Sequence, residues 1–234
     1  MNWLLISVCV LQGLLLTCAT QVADLFNTRG ISEKTTCTTP SFPSSYNDMA
    51  DFNNQALAWH NYFRCQHNAA DMVLDSALQT AAQAWADEVA GSTLGTSWSV
   101  GHSPRCGVGE NIWLGYGVQT PPAWKAVRGD ATDPYNNYGY GWYCYEHLSY
   151  NWNSPGYTSG SGHFSQVIWN LSTKLGCGVA SSSGGNPYKT IVVCQYENGG
   201  NISTDACWSG DITAMKPRKS GVTSSDVCPT GTNS

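Results

Sequence analysis

Five histidines supply the imidazole chemistry of this 234-residue chain: His60, His67, His102, His147 and His163. His102 stands in Gly-His-Ser-Pro, and His163 opens the run Gly-His-Phe-Ser-Gln-Val-Ile-Trp. Among the carboxylates, Glu110 stands in Gly-Glu-Asn and Glu146 follows Tyr-Cys-Tyr. Neutral imidazoles are good ligands for zinc, and carboxylates complete such a shell or orient its rings. The same residue types serve general acid–base transfer, or satisfy each other in a buried hydrogen-bonded network. Residue order alone leaves those three uses open. Two hydrolase patterns are absent: there is no His-Glu-x-x-His helix and no Gly-x-Ser-x-Gly elbow. A Ser-His-Glu arrangement using Ser103 or Ser165 beside His163 stays open. His60 and Arg64 lie four residues apart on one helical face, which suits packing, capping or a structural ion pair. His67 and His147 belong to no motif and are expected to be exposed.

The elements that position these residues are partly legible. Phe52, Ala56, Trp59 and Phe63 recur near one face of a helix that begins about Asp51. A second helix is expected from Ser76, with Gln79 three residues on as a capping box. Leu78, Ala81, Ala82, Trp85 and Val89 form its apolar stripe, and Gly91 is a stop signal. Residues 91–109 read as a loop carrying His102, before a short strand at Ile112 and Trp113. Pro121 and Pro122 suit the opening of another helix. From Asp133 to Tyr157 the chain holds seven tyrosines and two tryptophans among glycines and asparagines. This stretch reads as a long loop around one short helix near Glu146. Residues 175–181 and 190–197 read as two strands joined by a hairpin loop at Gly184, Gly185 and Asn186.

Composition narrows the classes. Hydrophobic residues make up 41% and charged residues 12%, which suits a packed core and excludes a disordered chain. A net charge of −5 without a basic run argues against nucleic acid and anionic membrane surfaces as partners. Residues 1–20 resemble a secretory signal: Leu4, Leu5, Ile6, Val8, Val10 and Leu11 begin an apolar stretch, and Thr17 and Ala19 have cleavage-like spacing. A retained membrane anchor is the alternative for this stretch, which is short for a span, and no other stretch is a membrane-span candidate. Secretion fits the cysteines. Cys9 and Cys18 leave with the signal, and the eight that remain read as four disulfides. Asn170-Leu171-Ser172 and Asn201-Ile202-Ser203 are glycosylation sequons. The expected organisation is a signal at 1–20, an N-terminal arm at 21–48 tied by Cys37, one domain at 49–205, and a tail at 206–234.

Four segments in this order carry a resemblance: His60-Asn61-Tyr62-Phe63-Arg64, Gly109-Glu110-Asn111-Ile112-Trp113, Gly162-His163-Phe164 onward, and Ile191 to Tyr196 with Gly200-Asn201-Ile202. Together they resemble the CAP superfamily of cysteine-rich secretory proteins, antigen 5 and pathogenesis-related group 1 proteins, from about Asp51 to Ile202. The last motif departs from the family, which usually has proline where this chain has Asn198. The resemblance implies an α+β fold, a three-layer α-β-α sandwich. It implies that His102, His163, Glu110 and Glu146 converge in one cleft; the chemistry of two imidazoles and two carboxylates at close range then suits a divalent metal such as zinc at the two histidines. Trp142 lies four residues before Glu146, where the family usually has tryptophan two or three before. Either Tyr143 takes the tryptophan's place or the register slips by one. A Cys177–Cys194 bridge is bonded in similar members; closing such a loop stabilises by about 3 kcal/mol in the chain-entropy model. Tyr150, Trp152 and Tyr157 lie in a segment similar to the sterol-binding loop of some relatives. The expected function is secreted, extracellular binding of a sterol, fatty acid or other lipid. The alternatives are a hydrolase using the His/Glu cleft and a defence, virulence or venom-type ligand of a cell-surface receptor.

Overall fold

Why two core layers form is visible in the alternation of three strands. In a computed structural model of the chain, β2 (Val108–Tyr116) pairs antiparallel with β4 (Lys189–Glu197), which pairs antiparallel with β3 (Lys174–Ser181). The short β1 (Val73–Leu74) runs parallel to β3, so the sheet order is β1-β3-β4-β2. Successive side chains of a strand point to opposite faces. Trp113, Leu175, Cys177, Val179, Val192, Cys194 and Tyr196 therefore join one core, while Ile112, Leu114, Ala180, Ile191 and Val193 join another. The structure describes residues 36–92, 100–105, 107–129, 141–153, 158–182, 189–200 and 228.

Helices cover both faces. α1 (Met49–Gln66) lies on the first, with Phe52, Ala56, Trp59 and Phe63 buried as their spacing predicts. The short helices α3 (Ala123–Val127) and α4 (Gly162–Val167) join it, and a 3-10 helix spans Glu146–Ser149. α2 (Ser76–Ser92) covers the second face through Leu78, Ala82, Ala86, Val89 and Ala90. Its approach to the sheet is close: a Cβ on Gly178 would strike the Gln83 backbone, so only glycine fits there. The result is the three-layer α+β sandwich, stapled by Cys37–Cys65, Cys144–Cys228 and Cys177–Cys194. No helix among the described residues is long and apolar enough to cross a membrane.

β1 is too short to cover β3, and two side chains finish the edge. Asn53 of α1 donates to Cys177 O at 3.0 Å and accepts from Cys177 N at 2.8 Å. Gln83 of α2 donates to Val179 O at 2.9 Å and accepts from Val179 N at 3.1 Å. Each amide stands in for a peptide group of a missing strand, one from each helical layer.

Several local expectations need correction. Asp75, not a Ser76–Gln79 box, caps α2, accepting from Ala77 N at 2.9 Å and Leu78 N at 3.0 Å. The helix runs through Gly91 to Ser92. Pro122 sits at the N-cap of α3 rather than within its first turn. The strand at Ile112 is nine residues long. The signal segment, Cys106, Tyr157, Asn201 and Cys207 lie outside the described residues.

Candidate functional site: two histidine–carboxylate dyads

Glu110 and Asn111 are neighbours on β2 and point to opposite faces of the sheet. Glu110 shares its face with Gln195, its register partner on β4. His102 Nδ1 lies 2.9 Å from Glu110 Oε1, which also accepts from Ser103 N at 2.9 Å. Gln195, fully buried, donates to Glu110 Oε2 at 2.8 Å and to Ser103 Oγ at 3.1 Å, and accepts from Arg105 at 2.6 Å. Burial opposes ionisation of Glu110, but the hydrogen bonds from His102, Gln195 and Ser103 together outweigh it and hold the carboxyl below its ordinary range.

The second dyad lies on the α1 face. His163 Nδ1 is 2.5 Å from Glu146 Oε1, and Glu146 Oε2 accepts from Phe164 N at 3.0 Å. Asn111 donates to His163 O and to Tyr196 Oη, both at 3.1 Å. Tyr196 Oη is also 2.8 Å from His60 Nε2, and His60 Nδ1 is 2.7 Å from Ala56 O. The carbonyl requires a proton on His60 Nδ1, so Nε2 accepts from Tyr196. Burial, the largest effect, and the nearby Arg64 charge push His60 down to about 3 against the weaker pull of the Ala56 carbonyl. His60 is thus a neutral core group. Arg64 is a clamp, giving hydrogen bonds to the carbonyls of Ala70, Val167, Trp169 and Ser172.

In both dyads the carboxylate faces Nδ1 and accepts its N–H, so the neutral ring presents Nε2 as its acceptor. Side-chain exposure is 65% for His102 and 38% for His163. Trp142 lies along the His163 ring, with centroids 6.4 Å apart and an angle of 22°. Tyr143 instead stacks on Phe63 at 3.8 Å, so Trp142 is the aromatic wall of this dyad.

Of the four residues expected in one cleft, His102 is hydrogen-bonded to Glu110 and His163 to Glu146. Zinc sites have four protein ligands, or three and an open position. Among the described residues no three of His, Cys, Asp and Glu gather to hold an ion. His102 and His163 offer one lone pair each, and their carboxylates are already spent on Nδ1. That donor set does not fit a resident zinc. The serines are engaged elsewhere: Ser165 Oγ donates to Gly162 O at 2.9 Å, and Ser103 Oγ accepts from Gln195.

Other expected residues are placed differently. His67 and His147 are buried, not exposed. The aromatic stretch encloses them: His67 Nε2 meets Tyr143 Oη at 2.7 Å, and its ring stacks on Trp152 at 5.6 Å. Tyr150 is 5% exposed and joins the core, while Trp152 packs edge-on against it. Asn170 sits in a turn after α4, its side-chain oxygen accepting from Ala70 N at 3.3 Å. Gln195, Arg105 and Asn111 brace the dyads. Gln195 and Asn111 lie in the motif segments, but only the cross-strand register shows what they hold.

A family model described as the cysteine-rich secretory protein family matches residues 57–196, which span both dyads. The chain belongs to this family. Among family relatives, it is 29% identical over 171 residues to human Golgi-associated plant pathogenesis-related protein 1, covering 72% of this chain and 95% of that protein. It is 29% identical over 183 residues to the Candida albicans protein named Secreted protein RBT4, covering 75% of this chain but 44% of the other. Of solved family structures, NaASP2 with Zn2+ aligns at 21% identity and a TM-score of 0.44, covering 76% of this chain and 92% of that one. The family's usual proline at position 198 is incompatible with the backbone here. Asn198 has φ 52°, whereas proline is locked near −65°. The loop after β4 takes a left-handed turn at Asn198, whose O accepts from Ser172 Oγ at 2.9 Å.

Proposed function

We propose that this chain is a secreted binding protein for a small, largely apolar molecule with one polar end, such as a sterol or fatty acid. The ligand lies along the 3-10 helix with its polar end at His163. One observation carries this reading. Tyr145 and Leu148 are exposed at 36% and 64%, and they flank Glu146, the residue that fixes the half-exposed His163 ring. An apolar body covers the first two, and a ligand hydroxyl donates to Nε2. Large apolar side chains beside an open hydrogen-bond acceptor are the usual composition of a small-molecule site. Tyr150 and Trp152 support the floor from inside rather than closing as a free lid. The signal-like residues 1–20 and the relative named as secreted support the extracellular setting.

Binding of fluorescently labelled cholesterol and fatty acid by the full chain tests this. Leu148→Glu alters an exposed side chain and spares the fold. Removing a buried leucine contact is worth about 1.5–3 kcal/mol, or roughly ten- to a hundredfold in affinity. His163→Ala should weaken a hydroxylated ligand more than its acyl-capped form. Saturable binding unchanged in both variants would place the ligand elsewhere.

A further inference from the structure

Of the two sequons, the described one sits on a built platform. Asn170 and Leu171 are the centre of a turn closed by Ser172 N donating to Trp169 O at 3.1 Å. Arg64, wholly buried, fixes both ends of that turn, through Trp169 O and Ser172 O, each at 2.8 Å. The Asn170 carboxamide is oriented by its oxygen, which faces Ala70 N. Its Nδ2 has no protein partner among the described residues. Two large apolar side chains are exposed close by along the chain or in strand register: Leu171 within the turn, 46% exposed, and Val73, 59% exposed and paired with Lys174. Val73 is tied to this turn's continuation, donating its N–H to Thr173 O at 3.0 Å.

We infer that Asn170 carries an N-linked oligosaccharide that covers these two apolar side chains, and that it is added before the domain folds. The transfer balances simply. Nδ2 loses a proton and bonds to the anomeric carbon of an oligosaccharide on a polyprenyl pyrophosphate carrier, and the carbon–oxygen bond to the pyrophosphate breaks with its electron pair. The timing follows from Ser172. The transferase must engage the sequon hydroxyl, yet in the folded chain Ser172 is fully buried, donating to Asn198 O and accepting from Gln166 Nε2 at 3.0 Å. The folded domain therefore hides half of its own acceptor signal. Once attached, the sugar projects from a rigid turn and shields Leu171 and Val73 from other molecules.

This inference rests on the secretory reading above, and the test separates the two. The full chain is produced in a eukaryotic secretory host, and cell and medium fractions are treated with peptide N-glycosidase in heavy-oxygen water. Chain in the medium with a heavy aspartate at position 170, lost in Asn170→Gln and kept in Ser172→Thr, is the expected result. Chain in the medium with unmodified Asn170 overturns the glycan and leaves secretion intact. Chain confined to the cytosol overturns both. Nascent chain translated with microsomes should be modified, whereas folded chain from bacteria, offered to the solubilised transferase, should not. Equal modification of the two would overturn the timing. Asn170→Gln should aggregate faster than the wild-type glycoprotein, and adding Leu171→Ser should slow it again; no difference between the three would overturn the shielding role.

Discussion

His60 illustrates how a single residue ties motif to stability. It is neutral when folded and held down to about 3, while its ordinary value is 6.5. Below pH 6.5 the unfolded chain binds a proton that the folded chain refuses. Stability is therefore lost as pH falls from 6.5 towards 3, at about 1.4 kcal/mol per pH unit from this group. Glu110 acts in the same direction only below its ordinary 4.5, because its folded carboxyl is held lower still. Urea unfolding between pH 7 and 5 separates His60 from Glu110: the wild type should weaken across that interval by more than His60→Gln does, and the difference between them is the His60 contribution. Parallel curves would mean that His60 is not buried neutral. Asn198 gives a second residue-scale prediction. Asn198→Pro forces a φ the loop does not have and should cost about 2 kcal/mol or more, whereas Asn198→Gly should be neutral or slightly favourable. Thermal unfolding of both variants checks it, and a tolerated proline would show that the left-handed turn is dispensable.

At the scale of elements, what the sequence discloses is what local periodicity can encode. The α1 and α2 stripes and the two hairpin strands are legible because burial repeats at 3.6 or 2 residues. β1 and α4 are not, since two and six residues carry no period. His67 and His147 read as exposed because their enclosure is made by Tyr143, Trp152 and Phe164, far along the chain or across a loop. Glu110 and Glu146 are recognisable from motif resemblance, but the sheet face that each dyad occupies needs the strand register. The same is true of the edge caps. Asn53 looks like one polar residue on an apolar helix face, yet it completes a strand 124 residues away. Asn53→Leu keeps the branched outline and heavy-atom count of the side chain and strands the Cys177 N–H and C=O. Each buried unpaired group costs about 1–3 kcal/mol. The variant should therefore lose several kcal/mol in chemical denaturation, with an m-value near that of the wild type. A loss under about 1 kcal/mol would mean that another group, such as water, takes over the edge.

For the whole molecule the question is what holds the layers together, a metal or covalent staples. Glu110 and Asn111, which hold the two dyads to β2, point to opposite faces, and each dyad contributes a single imidazole nitrogen beyond its carboxylate contact. Coupling between an ion and folding needs a ligand set that the folded chain assembles and the unfolded chain lacks. The disulfides, in contrast, restrict the unfolded chain directly. Cys144–Cys228 spans 84 residues and Cys177–Cys194 spans 17. In the chain-entropy model these contribute about 4.5 and about 3 kcal/mol. The longer bridge also anchors the chain two residues before Glu146, so its loss reaches the His163 dyad. Replacing each bridge by paired alanines should lower the melting temperature, and the 144/228 pair more than the 177/194 pair. Saturating EDTA should leave the wild-type melting temperature unchanged. A fall on chelation that added Zn2+ reverses would mean that His102 and His163 share an ion after all.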